Sequence, residues 1–271
     1  MRLTVLASGS EGNSTLVECG ATTVLVDAGL GRDAQLARLE ATRIPIGRID
    51  HVLVTHGHLD HARSAGSIAR RAKAFLHAPE AILRHAAAKK APRQAALRID
   101  QAFELAERAT WTPDVPARGA EPVRVLPVTL PHDCDPTVAF RLEHAGRRAV
   151  ILTDLGHPAR EVAERLADAH VLVLEFNWDP ELMATGPYPA SLKKRITGDR
   201  GHLSNAQGTA MLERLASEHL HTLVLAHLSK KTNAPERALA AANAVLERLG
   251  LASRVKVVVA SQDEVGAPID V

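Results

Sequence analysis

Several features that would restrict the function of a protein are scarce in this sequence. Its 271 residues include two cysteines, Cys19 and Cys134, which are too few for a disulfide framework. Two tryptophans, one tyrosine and four phenylalanines offer few rings on which bases could stack, which argues against a broad binder of single-stranded nucleic acid. No apolar run approaches the length of about 18 residues that a membrane-spanning helix requires, so a membrane protein is not expected.

The sequence also lacks a dominant charge. Its 33 basic residues nearly balance 31 acidic ones, which gives a net charge of +2. Such a weak field does not attract nucleic acid over the whole surface, so any such binding must use local basic patches. The run Lys193-Lys194-Arg195 is one candidate patch, and an ordinary solvated basic face is the alternative.

No linker divides the chain, and no targeting segment is evident. Stretches rich in Gly, Ser and Pro are missing between its patterned segments, and its apolar content of 46% is ample for a core. The N-terminal residues begin a strand pattern at once, without the charged-then-apolar pattern of a signal segment. We therefore expect one domain over residues 1–271, in a soluble, cytoplasmic protein that binds no membrane.

The patterned segments predict an α/β architecture. Strands are expected over 1–6, 14–18 and 22–26, and the later apolar runs alternate with segments of helical spacing. The Ala- and Arg-rich stretch from 79 to 108 has helical spacing and precedes a Pro-rich loop. It predicts a helical insertion or lid over about 79–122.

What the sequence does contain is a dense cluster of potential metal ligands, Thr55-His56-Gly57-His58-Leu59-Asp60-His61. The preceding apolar run predicts a buried strand over 51–55, so His56 and His58 should point to the same side of an extended backbone. Three imidazoles and one carboxylate suit Zn, Mn or Fe. A histidine-rich surface turn is the alternative.

Asp60 and His61 complete this cluster from another direction. They stand where a helix over 62–73 is expected to begin. Their side chains should therefore approach from a different side than those of His56 and His58. This arrangement fits a second ion beside the first.

The pattern from His56 to His61 resembles the HxHxDH signature of the metallo-β-lactamase superfamily. The resemblance implies an αββα sandwich with a one- or two-metal hydrolytic site at one edge. It also implies a later His, an Asp after a strand and a further His after another strand. Each has a match at the end of a short apolar run: His132, Asp154 and His227.

A narrower resemblance, to the YycJ/WalJ branch of cytoplasmic DNA exonucleases, covers nearly the whole chain. The matching segments are Ala7–Ser14, Leu25–Leu30, Thr153–Asp154, Leu174–Glu175, Gly186–Pro189, Leu192–Ile196, Gly201–Asn205 and Leu225–Ser229. Departures at 155–157 and 176–178 lie outside the expected ligands and bear on substrate choice. The resemblance implies a metal-dependent phosphodiesterase or nuclease, with DNA as the expected substrate.

The superfamily resemblance also implies how two ions, Zn or Mn, share the ligands. One ion would take His56, His58 and His132, and the other would take Asp60, His61 and His227, with Asp154 between them. A pair of such ions lowers the pKa of a bound water towards about 7 and polarises a phosphoryl oxygen. We expect the resulting hydroxide to attack the phosphodiester, with Asp60 also orienting it.

His202 is the expected proton donor to the leaving oxygen. It precedes Ser204 and Gln207, whose spacing predicts a capping box at a helix start. Amide groups at such a helix start favour a phosphate oxygen, and an imidazolium there can protonate the leaving group. A histidine that only packs or caps is the alternative.

Supporting roles are expected for further residues near these motifs. Asp27 ends a strand and is expected to orient a ligand histidine by accepting the proton of its second nitrogen, with a plain turn-forming Asp as the alternative. Substrate contacts are expected from five residues: Asn13, Lys193, Lys194, Arg195 and Ser204.

Other functions on the same fold stay open at this stage. A small-molecule or cyclic phosphodiesterase, a thioesterase and a lactamase would share the metal site. The interval from Asp154 to His227 is too short for the inserted domain of β-CASP nucleases. A non-catalytic metal-binding protein is disfavoured because every ligand position is filled. The choice of Zn or Mn, DNA or RNA, the cleavage polarity and the oligomeric state stay undetermined.

Overall fold

The computed structural model describes residues 1–85, 87–106, 108 and 121–271. The chain divides into two compact units, the first made of residues 1–127, 142–147 and 261–271, and the second of 128–141 and 148–260. Among the described residues, no helix combines the length and the apolar character needed to cross a membrane. That residues 1–271 form a single domain stays a prediction.

A mixed sheet of seven strands forms the centre of the first unit. Its strands are β1 (Arg2–Ala7), β2 (Ser14–Cys19), β3 (Thr22–Val26), β4 (His51–Leu53), β5 (Phe75–Ala78), β6 (Arg93–Ala96) and β14 (Ile269–Asp270). Their order is β14-β1-β2-β3-β4-β5-β6. Pairing is antiparallel from β14 to β3 and parallel from β3 to β6. The three predicted N-terminal strands are confirmed.

The helices of the first unit pack against this sheet. They are α1 (Arg32–Ala41), α2 (Leu59–Ala62), α3 (Ala65–Ala72) and α4 (Glu80–Leu83), with a 3-10 turn at Ile46–Arg48. Leu25, Val52 and Leu76 from the strands pack with Ile68 of α3 in one buried cluster. Burial of each such side chain is worth roughly 1.5 to 3 kcal/mol. The parallel pairing of β3 with β4 places the ends of these two strands side by side.

A second mixed sheet has the order β13-β12-β11-β10-β9-β8-β7. Its strands are β7 (Phe103–Leu105), β8 (Val123–Leu130), β9 (Thr137–His144), β10 (Arg147–Leu152), β11 (Val171–Glu175), β12 (Thr222–Ala226) and β13 (Lys256–Val259). The last four strands are parallel. Every residue of β11 and β12 is buried, as expected for strands that are covered on both faces.

The parallel strands of the second unit are connected through helices. These are α5 (Arg160–Leu166), α6 (Pro180–Thr185), α7 (Ala190–Ile196), α8 (Asn205–Leu215) and α9 (Pro235–Arg248). The capping box predicted at Ser204 is confirmed, because the Ser204 hydroxyl accepts from the Gln207 amide and the Gln207 side chain accepts from the Ser204 amide. The alternation of strands and helices confirms the predicted α/β class.

Two predictions around the ligand motif need correction. Strand β4 ends at Leu53 and not at Thr55. The Val54 amide still donates to the His77 carbonyl of β5, but the Thr55 amide donates to the Asp27 side chain and not to a neighbouring strand. The predicted helix over 62–73 is two helices, α2 and α3, and α2 already begins at Leu59. Asp60 and His61 therefore lie inside a helical turn.

The helical prediction for residues 79–108 was wrong for most of the described residues. Only α4 is an α-helix there, and β6 and β7 follow it. Helical spacing of alanines did not decide the outcome, because β6 pairs in parallel with β5 and β7 pairs with β8. The remainder of the predicted insertion or lid, at 107 and 109–120, lies outside the described residues.

Candidate metal centre

Three expected site residues stand directly after strands in an uncommon backbone conformation. Asp27, Asp154 and His227 have φ angles of 60°, 62° and 56°, in the left-handed region. Few residues other than glycine adopt this region, and such strain is tolerated where surrounding contacts compensate for it. The turn at each strand end directs the side chain away from the alternating pattern of the strand. We take this shared conformation as a mark of functional strand ends in each unit.

In the first unit, Asp27 holds the ligand motif by its carboxylate. Its Oδ2 lies 2.7 Å from Nδ1 of His61, and Oδ1 accepts from the Thr55 amide at 2.8 Å. The Thr55 hydroxyl donates to the same carboxylate. Burial raises the pKa of Asp27, and His61 and Thr55 oppose that rise. With Nδ1 of His61 directed at Asp27, Nε2 is the ring nitrogen that would face a metal.

The motif brings its other ligand candidates together as expected. Nε2 of His56 lies 3.1 Å from Nδ1 of His58, and the His56 and His61 rings have centroids 4.2 Å apart. Asp60 Oδ2 lies 3.6 Å from Nε2 of His61. His56 and His61 are fully buried, whereas His58 and Asp60 are partly exposed. Four metal-ligand side chains thus lie within one turn of the chain.

Asn13 and Gly29 fix the position of this turn. The Asn13 amide donates to the Asp60 carbonyl at 2.7 Å, and Asn13 Nδ2 lies 3.0 Å from Nε2 of His61. A Cβ atom on Gly29 would lie only 1.6 Å from the Asp60 carbonyl oxygen. Only glycine allows this approach, which sequence reasoning missed. Asn13 is buried among these contacts, and the substrate contact expected of it stays a prediction.

In the second unit, His132 and Asp154 lie close together after the ends of β8 and β10, the two strands on either side of β9. His132 Nδ1 lies 3.0 Å from the Gly201 carbonyl oxygen, which orients its Nε2 towards Asp154 Oδ1 at 3.8 Å. Arg200 donates to the His132 carbonyl and fixes the backbone there. Both side chains are buried. The structure therefore places two expected ligands in contact range of each other.

Glu175 is a site residue that sequence reasoning missed. Its Oε1 lies 2.8 Å from Nδ1 of His202 and 3.0 Å from Nδ1 of His227, and Oε2 accepts from the amides of Leu155 and Leu203. Burial by itself raises the pKa of this carboxyl, but His202 and His227 lower it to about 2. The available signal was its position at the end of β11, in the matching segment Leu174–Glu175.

Glu175 directs His227 and His202 in the same way that Asp27 directs His61. With Nδ1 of His227 bound to the carboxylate, its Nε2 is the atom left for a metal. His202 is one-fifth exposed, and its Nδ1 also lies 3.5 Å from Asp154 Oδ1. The His202 ring lies between those of His132 and His227, with centroids 5.2 and 5.1 Å away. This position suits a group that faces both the ligands and the solvent.

The segment 176–178, which departs from the YycJ/WalJ pattern, contacts the backbone of two candidate site residues. Asn177 Nδ2 donates to the His227 carbonyl at 2.7 Å. Trp178 Nε1 donates to the His202 carbonyl at 2.8 Å. Both residues are part of the departing segment 176–178, so this segment holds the backbone of two site residues.

The basic run Lys193-Lys194-Arg195 lies on α7, and two of its side chains already contact the protein. Lys193 donates to the Ala184 carbonyl at 2.7 Å, and Arg195 donates to Asp133, next to His132. Ser204 is buried and caps α8. A substrate phosphate would compete with these contacts, and the roles expected of these residues stay predictions.

The second unit has a donor set that fits a divalent transition metal. Asp154, Glu175, His202 and His227 each offer one oxygen or nitrogen, and these four atoms all lie within 4.8 Å of one another. Carboxylate and imidazole ligands suit Zn and Mn. Two buried carboxylates so close together are costly without a compensating cation. The described residues therefore favour metal binding over a purely structural polar cluster.

Comparisons with known proteins agree with this geometry. Residues 22–228 match the family model of the "Beta-lactamase superfamily domain". The chain is 29% identical over 253 residues to the exodeoxyribonuclease YycJ of Bacillus anthracis, covering 92% of this chain and 90% of that protein. It is 31% identical over 239 residues to the exodeoxyribonuclease WalJ of Streptococcus pneumoniae serotype 2, covering 88% and 85%.

A solved structure has the same fold over nearly the whole chain. The metallo-β-lactamase fold protein YhfI of Bacillus subtilis superposes with a TM-score of 0.70 at 17% identity and covers 99% of this chain and 98% of its own. The fold predicted from the HxHxDH pattern is thereby confirmed.

Proposed function

Because the chain belongs to the beta-lactamase superfamily, we propose that it is a DNA exonuclease that depends on two divalent ions, Zn or Mn. At the coarser level, the chain is a metal-dependent hydrolase of phosphodiester bonds, as are its exodeoxyribonuclease relatives. DNA as the substrate, the exonucleolytic mode and the number of ions are the proposed part.

One observation supports this proposal most strongly. Three expected ligands, His61, His132 and His227, each direct Nδ1 at an oxygen atom, at distances of 2.7, 3.0 and 3.0 Å. The acceptors are Asp27, the Gly201 carbonyl and Glu175. Metal-binding histidines almost always have such an outer acceptor, which fixes the tautomer and the ring orientation. Purely structural roles would not require the same ring nitrogen, Nδ1, to be held by an acceptor in all three histidines.

The proposed ligand roles combine the two groups of residues. We propose His56, His58 and His132 for one ion, Asp60, His61 and His227 for the other, and Asp154 for both, as the superfamily resemblance implies. The ions supply an activated water and polarise the phosphoryl group. Asp60 orients the nucleophile, and Asp27 and Glu175 hold the ligand rings.

His202 is proposed to protonate the leaving oxygen. Its Nδ1 is held by Glu175 at 2.8 Å, so Nε2 is the atom that can deliver a proton. The ring is partly exposed, as a group that meets the substrate must be. An alkoxide leaving group needs this proton, because it is strongly basic.

The proposed substrate is DNA in the cytoplasm. The exodeoxyribonuclease relatives support DNA as the substrate. Because the sequence has few aromatic residues, contacts to phosphates are favoured over stacking on bases. Asn13, Lys193, Lys194, Arg195 and Ser204 are proposed as its substrate contacts. A small-molecule phosphodiesterase remains the second candidate on the same site.

The test is an assay with metal-reconstituted protein on DNA and RNA duplexes labelled at the 5′ or the 3′ end, beside bis(p-nitrophenyl) phosphate. We expect stepwise release of nucleotides from one end of DNA, with Zn and Mn compared in parallel. Hydrolysis of the small ester without cleavage of either polymer would replace the exonuclease with the second candidate. Preference for RNA would retain the mechanism and change the substrate.

A further inference from the structure

A basic groove of about 670 Å³ lies in the first unit, outside the ligands described above. Its cations are Arg32, Arg63, Arg70, Arg71 and Lys90, and its only acidic side chain is Asp33. Leu36, Ser64 and Ser67 complete the lining. In a protein whose total charge is only +2, this is a strong local concentration of positive charge.

Three segments converge on this basic groove. Ser67, Arg70 and Arg71 lie on one face of α3, whose other face is buried, and Arg63 caps the end of α2 just before it. Arg32 and Leu36 come from one face of α1, and Lys90 comes from the turn after α4. The folded chain thus gathers cations that are far apart in sequence.

Most of these cations are not neutralised by the protein. Among the described residues, Arg63, Arg70, Arg71 and Lys90 form no ion pair, and Arg32 pairs only with the exposed Asp33. Some exposed arginines elsewhere, Arg2, Arg84, Arg160 and Arg237, lie within 3.1 Å of a carboxylate. Others among the described residues, such as Arg43 and Arg48, form no ion pair but do not line this groove. Like charges held around a concave surface repel one another, and binding an anion there relieves this repulsion.

The basic groove is continuous along the chain with the ligand motif. Arg63 follows His61 by two residues. Ser64 donates to the Ala28 carbonyl through both its amide and its hydroxyl, at 2.9 Å, and Ala28 follows Asp27. The groove is thereby fixed to the same backbone that positions His61.

We propose that the basic groove binds the phosphodiester backbone of the nucleic-acid substrate, outside the metal centre. This inference rests on the proposed function and adds the surface that selects polymers over small phosphodiesters. Arginine favours this ligand because its planar guanidinium binds phosphate oxygens in pairs. The contacts carry no base information, so binding is independent of sequence.

The test compares metal-loaded wild type with two matched triple variants. The groove variant carries Arg63→Gln, Arg70→Gln and Arg71→Gln. The control variant carries Arg43→Gln, Arg48→Gln and Arg98→Gln, which removes the same charge from exposed arginines of the same unit outside the groove. Affinity for a fluorescent, hydrolysis-resistant phosphorothioate duplex is measured by anisotropy over a series of salt concentrations.

We expect the groove variant to bind the duplex at least tenfold more weakly, with a salt slope reduced by about 2.7 if all three arginines contact phosphates, since each phosphate contact contributes about 0.9. The control variant should retain most of the wild-type affinity. Hydrolysis of bis(p-nitrophenyl) phosphate should be equal in all three proteins. Equal duplex affinities, or equal losses in both variants, would overturn the proposal, as would binding of acidic phospholipid vesicles in place of the duplex.

The result also separates this inference from the proposed function. Duplex binding that depends on the groove, in a protein that hydrolyses no nucleic acid, would refute the exonuclease and retain the groove. Exonuclease activity with full affinity in the groove variant would refute the groove and retain the exonuclease. Should the triple variant fold poorly, the single variants Arg70→Gln and Arg71→Gln are each expected to show a smaller loss of affinity than the triple, and wild-type affinity in both would refute the groove.

Discussion

Nδ1 of His202 lies 2.8 Å from Oε1 of Glu175, and this carboxylate connects the proposed proton donor with the proposed ligand His227. The same oxygen lies 3.0 Å from Nδ1 of His227, so one buried carboxylate orients two imidazoles. Its pKa of about 2 keeps it ionised at neutral pH, despite its burial. Glu175 is thus a positioning residue for both rings.

We predict that Glu175→Gln lowers metal affinity and activity by about tenfold to a hundredfold, as is typical when the outer partner of a ligand is lost. The amide has nearly the same shape but carries no charge, and its nitrogen cannot accept a hydrogen bond. Metal affinity by competition with a chelating dye and kcat/KM on DNA would measure the effect. Glu164→Gln on the exposed face of α5 is the control, and an identical loss there would argue against the role.

The ligand assignment predicts two bound ions per chain in the wild type. His58→Ala and Asp154→Ala should each lower the ion content and reduce activity by more than a hundredfold, because each removes a proposed ligand directly. Elemental analysis and the DNA assay measure both effects, with the exposed His85→Ala as the control. A wild-type protein that never binds more than one ion per chain would refute the two-ion site.

His202→Ala should separate proton donation from metal binding. We expect the variant to keep both ions, lose about a hundredfold to ten-thousandfold on DNA and lose far less on bis(p-nitrophenyl) phosphate. The nitrophenolate leaves without a proton, whereas the alkoxide of DNA needs one. Equal losses on both substrates would make His202 a phosphate contact, and loss of an ion would make it a ligand.

Gly29→Ala should disturb the metal centre, although Gly29 lies outside the ligand motif in sequence. The new Cβ would lie 1.6 Å from the Asp60 carbonyl oxygen, so the ligand turn must move. We expect a lower melting temperature together with lower ion content. Gly31→Ala is a close control, because a Cβ there meets no atom within 4 Å. Equal metal content in both variants would show that the turn is not held as described.

His51 and His77 predict a loss of stability in acid. Nδ1 of His51 lies 3.1 Å from Nε2 of His77, and burial lowers the two pKa values to about 3 and about 4. Both folded pKa values are below the unfolded value of 6.5, so the unfolded chain binds more protons between about pH 6.5 and pH 3. The stability they contribute is present above pH 6.5 and is lost as the pH falls through the folded values.

His77→Gln should therefore weaken this pH dependence. Urea unfolding at pH 7 and at pH 5 gives the free energy of unfolding of each protein. We expect the difference between the two pH values to be smaller in the variant, because one titrating group is gone while an amide donor to His51 remains. The same difference in both proteins would show that the pair does not contribute.

The sequence by itself predicted which side chains could form a metal centre. The spacing from His56 to His61 is a local pattern of ligand types, and the superfamily resemblance pointed to His132, Asp154 and His227 after apolar runs; their roles as ligands stay predictions. The capping box at Ser204 was predictable because it is a local pattern too. Local patterns also misled, as at 79–108, where pairing with β5 and β8 overrode helical spacing.

Only the tertiary structure decided which residues support those ligands. Glu175 reaches two histidines that are 27 and 52 residues away in sequence, and Gly29 is needed because Asp60 approaches it from another segment. The basic groove likewise combines α1, α3 and the turn at Lys90. Contacts between distant segments depend on how the strands and helices pack, and no local spacing in the sequence predicts which distant residues come together.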